Sequence, residues 1–361
     1  MTTMTTLLLL ALLSMLCWLL GRRPGAERVL VIGSTPLARQ LVDELTRRGR
    51  RVAVVTESDA PDAWCSPLSA GSLAQLPAMV ADLEPDRIVV ALADRRGRLP
   101  MRELLEARVQ GIAVEDGVAC YESLTGKIAI EALTPSGLIA SPDFRKSHLD
   151  LAFGHALSLV VSFGALVALA PLAALIACAI KLESDGPVFF VQERIGHRGR
   201  RMRLLKFRTM RPASARTSEW VRDNDHRITK VGRWLRRFRL DELPQLVNVL
   251  RGEMNLVGPR PHPMSNAELF TAAIPYYSLR SVVRPGLTGW AQVRQGYANT
   301  LEEEIEKMRY DLYYIKHMSA WLDLRILLQT VTTVVFGRGC ASAIRQPAAV
   351  VLTGPTPHVG A

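Results

Sequence analysis

Two adjacent carboxylates, Asp241 and Glu242, stand in the stretch Leu240-Asp241-Glu242-Leu243-Pro244-Gln245-Leu246, and the block Gly258-Pro259-Arg260-Pro261 follows shortly after. Lys206, Arg208, Arg233, Arg236, Arg237, Arg239 and Arg260 frame the pair in sequence. A carboxylate repels a phosphate. An acidic pair set among that many cations therefore reads as a place where fixed positive charge cancels substrate charge while a carboxylate reacts or binds a metal. A plain structural reading stands beside it: Asp241 can cap a helix, Glu242 can favour its positive end, and Pro244 is tolerated in a first turn. If the helix begins near Asp241, its unsatisfied amides also point at a bound diphosphate.

The chain that must position these residues has 361 of them, room for about two domains. Hydrophobic residues make up 48% of a chain that also carries 22% charged residues, so part of its apolar content is expected to face lipid. The net charge of +11 implies an anionic partner: nucleic acid, an anionic bilayer surface or a phosphorylated substrate. Cys17, Cys65, Cys120, Cys178 and Cys340 are odd in number and widely spaced, which argues against a disulfide framework or zinc site and for a reducing compartment.

Two segments suit a membrane. Residues 1–21 contain no charge before Arg22 and lack both a basic n-region and a small-residue cleavage site, so they read as an uncleaved anchor leaving the rest of the chain in the cytoplasm. The second lies within 146–182: Leu151 to Ile180 holds no charged residue other than a titratable His155, and Arg145, Lys146 and Lys181 bracket it. A straight helix of that length overshoots a hydrocarbon core of about 30 Å, and Pro171 lies inside it. The expectation is a re-entrant helical hairpin turning at Pro171, the alternative a tilted span kinked there.

Between the two segments, residues 27–140 read as a doubly wound α/β unit. Arg28 to Gly33 is a buried strand ending in a glycine turn, Leu37 to Arg48 an amphipathic helix and Arg51 to Val55 the next strand. Arg87 to Leu92, Leu99 to Gln110 and Gly111 to Val114 continue as strand, helix and strand. Ser34, Thr35 and Pro36 follow Gly33, so the dinucleotide fingerprint is degraded, and a structural or regulatory module is favoured over a working NAD site.

From Lys181 onward the blocks become specific: Gln192-Glu193-Arg194-Ile195-Gly196, Leu205-Lys206-Phe207-Arg208-Thr209-Met210, Arg227 to Gly232, the acidic pair, Gly258 to Pro261, Arg284-Pro285-Gly286-Leu287-Thr288-Gly289-Trp290 and Tyr310-Asp311-Leu312-Tyr313-Tyr314. In this order, over about Lys146 to Thr332, the chain resembles the bacterial sugar transferases, the monotopic polyprenol-phosphate phosphoglycosyl transferases. Its amino-terminal part is similar to the Rossmann-like domain of exopolysaccharide-type members, which usually carry several more membrane helices.

The resemblance implies an α/β protein. A membrane-anchored Rossmann-like domain would precede a monotopic transferase domain (183–337) with a re-entrant membrane helix and a mostly helical catalytic part, and residues 346–361 would form a flexible tail. It implies transfer of a sugar-1-phosphate from a UDP-sugar to undecaprenyl phosphate at the bacterial inner (cytoplasmic) membrane, with the soluble domains in the cytoplasm. The product would initiate exopolysaccharide or another surface glycan. Asp241 takes the position of the family's nucleophile, forming a phosphosugar-aspartyl intermediate, Glu242 that of its Mg²⁺-associated partner and Arg260 that of its phosphate-binding arginine. Lys206, Arg208, Arg233 and Asp311 are further substrate-contact candidates, and for these, as for Asp223 and Asp225, fold-stabilising ion pairs are the alternative. A departure is Ala170-Pro171 where members commonly carry Ser-Pro at the helix break.

The residues agree with this chemistry. A carboxylate is a competent nucleophile toward phosphorus, phosphoryl transfer depends chiefly on positioning and charge neutralisation, and Mg²⁺ takes one or two carboxylates together with substrate phosphates. Membrane lipids are implied partners through the apolar segments, the arginines of 194–239 and an interfacial helix over Leu324 to Val335. Other polysaccharide assembly proteins are further candidate partners. A nucleic-acid partner is disfavoured by the lack of interleaved aromatics or a binding module. A catalytically inactive scaffold of an assembly complex is the alternative that only activity excludes.

Overall fold

The computed structural model describes residues 27–57, 69–92, 99–133, 147–211, 227–295 and 300–335, with 135, 138 and 144 besides. The expected anchor over 1–21, Asp223, Asp225 and the tail over 346–361 lie outside the described residues. The chain divides into two compact units, Met1–Ala140 and Ser141–Ala361.

The first unit is a five-stranded parallel sheet in the order β3-β2-β1-β4-β5, built from β1 (Arg28–Ile32), β2 (Arg51–Thr56), β3 (Ser69–Ser72), β4 (Arg87–Val90) and β5 (Ala113–Asp116). A parallel strand buried on both faces needs a continuous apolar run, which Val29-Leu30-Val31-Ile32 supplies. Helices α1 (Pro36–Arg47) and α4 (Gly117–Thr125) cover the face of Val29, Val31, Val54 and Val89. Helices α2 (Leu76–Leu83) and α3 (Met101–Val109) cover the face of Leu30, Ile32, Ile88 and Val90.

Gly33 has a packing role at the end of β1. Its φ is +120°, and a Cβ there would sit 2.5 Å from the Ala91 carbonyl oxygen. The Thr35 hydroxyl accepts the Ala38 amide at 3.1 Å, capping α1, and donates to that same Ala91 carbonyl at 2.8 Å. Thr35 thus ties the turn after β1 to the end of β4, and Gly33 lets that turn pass against the same backbone.

The second unit opens with α5 (His148–Glu183), roughly 54 Å long at about 1.5 Å per residue. Among the described residues it is the one helix long and apolar enough to cross a membrane. It runs without interruption through Pro171, where the sequence predicts the turn of a hairpin. Proline removes one backbone donor, and the surrounding leucines and alanines are strong enough helix formers to carry the chain past it. Both halves of α5 attach to the same unit. His155 Nδ1 lies 2.8 Å from Asn255 Oδ1, and Ser158 Oγ accepts the Leu256 amide at 3.2 Å. Ile176 and Ile180 pack with Phe207 and Leu235, and the Glu183 carboxylate accepts the Lys230 and Val231 amides at 2.6 and 3.0 Å.

The antiparallel hairpin β6 (Phe189–Ile195) and β7 (Arg201–Phe207) comes next, then α6 (Lys230–Arg237), α7 (Gln245–Leu250) and a short parallel pair, β8 (Asn255–Val257) with β9 (Gly286–Thr288). Helices α8 (Met264–Ala273), α9 (Trp290–Arg294), α10 (Leu301–His317) and α11 (Ala320–Val335) complete it. On α11 the exposed Trp321, Leu324, Leu328 and Val331 recur at helical spacing as one apolar stripe. Trp234 is exposed on α6 between Arg233 and Arg237.

Candidate active site

Asp241 and Glu242 lie in a 3-10 turn, Leu240–Glu242, between α6 and α7. Arg239 enters that turn at φ 52°, a left-handed conformation that costs a non-glycine residue about 1–2 kcal/mol. Within the turn Glu242 N–H donates to the Arg239 carbonyl and Leu243 N–H to that of Leu240, and the α-helix itself starts at Gln245, after the acidic pair, so two of the amides expected to point at a diphosphate are spent within the turn.

Cationic side chains converge on Glu242. Arg260 Nη2 donates to its Oε1 at 2.6 Å, and Lys206 Nζ and Arg239 Nη1 lie 3.5 and 3.8 Å from the same oxygen. Oε2 has a single long contact among the described residues, 3.5 Å to Arg260 Nη1. Burial pushes the Glu242 carboxyl up, but Arg260, Lys206 and Arg239 together hold it well below the usual carboxylate range. Asp241 is as buried, yet makes no hydrogen bond or ion pair with the described residues. Burial and then the Glu242 charge raise its carboxyl against the opposing pull of Lys206, Arg236 and Arg260. Burial also lowers Lys206 to about 8, with Glu242 working against that shift and Arg260 with it. Four cations thus face two carboxylates, a surplus that attracts an anionic ligand.

Tertiary bracing fixes the geometry. The Asn248 side chain on α7 accepts the Leu205 amide at 3.1 Å and donates to the Arg203 carbonyl at 2.7 Å, locking the strand of Lys206 to the helix that follows the acidic pair. Arg260 is aimed from below. Arg280 Nη2 donates to the Arg260 carbonyl at 3.2 Å and lies 2.7 Å from Asp311 Oδ2, while its Nη1 donates to the Tyr277 hydroxyl at 3.0 Å. His262 Nε2 lies 3.1 Å from Glu304 Oε1, and burial with Arg280 beside it holds His262 far below its usual value, as the neutral imidazole. Gly258 allows the loop to sit against β9, since a Cβ there would lie 2.6 Å from the Arg284 carbonyl oxygen.

The sequence-predicted residues separate accordingly. Lys206, Asp241, Glu242 and Arg260 come together. Asp311 is bound to Arg280, which links it to the Arg260 backbone. Arg208 donates to the Ser184 and Asp185 carbonyls, both at 2.7 Å, fastening β7 to the end of α5. Arg233 is exposed on α6. Asn248, His262, Arg280 and Glu304 were not legible as site residues. The one local signal is Asn248, a polar residue inside the apolar run Leu246 to Leu250.

A divalent cation has two carboxylates here, and no cluster of three or more His, Cys, Asp or Glu residues is present among the described residues. With Oε1 of Glu242 taken by cations, Oε2 is the oxygen open to a metal. That donor set fits a magnesium completed by substrate phosphates rather than a protein cage.

Residues 150–337 match the family model described as bacterial sugar transferase. The chain is 41% identical over 224 residues to the UDP-N-acetylgalactosamine-undecaprenyl-phosphate N-acetylgalactosaminephosphotransferase of Aeromonas hydrophila, covering 60% of this chain and 51% of that protein. It is 35% identical over 329 residues to the undecaprenyl-phosphate glucose phosphotransferase of Komagataeibacter xylinus, covering 87% and 60%. It is 45% identical over 210 residues to the UDP-glucose:undecaprenyl-phosphate glucose-1-phosphate transferase of Caulobacter vibrioides, covering 56% and 75%. The chain thus spans between half and two thirds of the length of the first two relatives.

Proposed function

The chain belongs to the bacterial sugar transferases, and from that membership we propose that it transfers a sugar-1-phosphate from a UDP-sugar to undecaprenyl phosphate, the step that initiates a surface polysaccharide. The observation that carries the assignment of roles is the asymmetry of the acidic pair: Glu242 is clamped by Arg260, Lys206 and Arg239, while Asp241 has no bonded partner among the described residues.

Asp241 is the nucleophile. A carboxylate oxygen forms a bond to the sugar-bearing phosphorus of the donor, the bond to the bridging oxygen breaks, and UMP leaves with the electron pair. The resulting phosphosugar-aspartyl linkage is attacked by a phosphate oxygen of the acceptor, which restores the Asp241 carboxylate and gives a lipid-linked diphosphate sugar. Lys206, Arg239 and Arg260 neutralise the diphosphate, and Glu242 fixes their positions. Magnesium, held by Glu242 with Asp241 beside it, would neutralise further phosphate charge when bound. The raised Asp241 carboxyl makes the nucleophile more basic than an exposed aspartate.

The lipid acceptor accounts for α5. We propose that it stays on one face as a helix bent at Pro171 rather than broken into a hairpin, because His155 and Ser158 in its first half and Ile180 and Glu183 at its end attach to one compact unit. With Trp321, Leu324 and Leu328 at the lipid surface, the catalytic unit would rest on the cytoplasmic face of the inner membrane. The parallel-sheet unit is read as Rossmann-like in topology and accessory in role.

The test is UMP release from a panel of UDP-sugars by solubilised protein with Mg²⁺, with and without undecaprenyl phosphate. Acceptor-independent exchange of labelled UMP into the UDP-sugar reports the covalent intermediate. Both are expected in the wild type and lost in Asp241→Asn; exchange that survives in Asp241→Asn would overturn the nucleophile assignment.

A further inference from the structure

Trp290, the first residue of α9, is only 2% exposed, and two arginines from different helices lie over its indole. The guanidinium carbon of Arg294, one turn further along α9, is 4.2 Å from the ring centre. That of Arg325, on α11, is 5.5 Å from the same ring. A hydrogen bond of 2.7 Å between the Thr288 and Thr330 hydroxyls ties α11 to β9, which leads into α9, so packing of the two helices brings the arginines together. The Tyr313 ring stacks on that indole at 6.0 Å between centres.

Each guanidinium is attracted to the indole, but the two repel one another. Partial burial and then the Arg325 charge lower Arg294 from its ordinary value. No carboxylate offsets that repulsion: both arginines are exposed, and neither makes a hydrogen bond or ion pair with the described residues. Asp323, the one acidic residue of α11, accepts the Tyr314 hydroxyl at 2.8 Å instead. Two cations gathered on one ring with no acid between them make a fork for an anion, and guanidinium geometry matches the oxygens of a phosphate.

The position of Arg325 on α11 selects the source of that phosphate. It follows Trp321 by four residues and precedes Leu328 by three, so it stands within the exposed apolar stripe. A helix face that rests on a bilayer holds its tryptophan and arginine at headgroup level, where lipid phosphates lie. A zwitterionic headgroup would bring an ammonium as a third cation to this pair, whereas an anionic headgroup brings only the phosphate charge.

We propose that Arg294 and Arg325, gathered on Trp290, bind the phosphate of an anionic phospholipid and thereby dock α11 on the membrane. The assignment rests on the placement of α11 at the lipid surface given above and is independent of the reaction at Asp241. It makes a docking face that is otherwise apolar selective for headgroup charge.

The experiment places the full chain in phosphatidylcholine nanodiscs that contain a trace of photoreactive phosphatidylglycerol or photoreactive phosphatidylcholine, each with its label on the acyl carbon nearest the glycerol. Adducts are mapped by mass spectrometry. Phosphatidylglycerol is expected to label 290–294 or 321–328 about fivefold or more above phosphatidylcholine at equal mole fraction. That preference should vanish in the double variant Arg294→Gln/Arg325→Gln, with labelling along α5 unchanged. Equal labelling by the two lipids in the wild type, or a preference that survives the double variant, would overturn the phosphate site and leave α11 at the lipid surface. No adduct from either lipid within 321–328 would sink the placement of α11 and the site with it. Loss of the preference on adding inorganic phosphate at constant ionic strength would make the ligand a free anion and overturn its assignment to lipid. Both arginines are exposed, so the double variant should melt with the wild type, and the lipid comparison and phosphate competition need no variant at all.

Discussion

Replacing Lys206 perturbs the charge of the site and the stability of its fold in opposite directions. Burial brings the ammonium to about 8 from an ordinary 10.5, and with only 17% of the side chain exposed, solvent screens little of that effect. The difference of about 2.5 units corresponds to about 3 kcal/mol. The unfolded chain holds this proton more tightly than the folded one, so charged Lys206 opposes folding below pH 8, and the penalty fades as pH rises from 8 towards 10.5. Lys206→Met is therefore expected to be more stable than wild type at pH 7 by up to about 3 kcal/mol, or roughly 6–12 °C in melting temperature for a unit of this size. That gain should shrink towards pH 10.

Activity should move the other way. If the ammonium neutralises the donor diphosphate, UMP exchange falls about tenfold per pH unit above pH 8 in the wild type and is low at every pH in Lys206→Met. Lys206→Arg should lose the alkaline limb, whatever its absolute rate, because a guanidinium stays charged across the range. The assay is labelled UMP exchange from pH 6 to 10 at constant ionic strength, beside thermal melts of the same preparations. A wild-type profile flat to pH 10, an alkaline limb that survives in Lys206→Arg, or a Lys206→Met protein that melts below wild type at pH 7 would refute the reasoning.

Arg260→Lys replaces a fork that reaches both oxygens of Glu242 by a single ammonium. The loss of a charge-assisted bond, about 1.5–3 kcal/mol, should lower kcat/KM for the donor about 10- to 100-fold, and a value within about twofold of wild type would show that the fork is dispensable. Gly33→Ala puts a Cβ against the Ala91 carbonyl at a φ that L-residues rarely adopt. It should destabilise the parallel-sheet unit by roughly 2 kcal/mol, read as faster hydrogen exchange in β1 and β4, and unchanged protection there would mean that the strands yield.

Much of this protein was written locally. The runs Val29 to Ile32 and Ile88 to Val90 declared buried parallel strands, and the absence of charge from Leu151 to Ile180 declared a lipid-sized helix, because period and polarity are properties of a few consecutive residues. Asp241, Glu242, Lys206 and Arg260 were legible as a candidate site from their residue types together with the family resemblance, and the fold brings them together. What only the folded chain decided is which carboxylate is free. Neighbours in sequence, Asp241 and Glu242 differ because Lys206 arrives from a hairpin and Arg260 from the loop after β8, both choosing Glu242. Arg280 and Asp311, distant in sequence from the pair, prove to hold Arg260 in place, and Gly33, legible as the turn glycine that ends β1, proves to be needed for strand packing. Residue type fixes what chemistry a side chain is capable of, but the distance between charges, and hence which of two adjacent acids is paired and which is not, exists only once segments far apart in the chain have packed together.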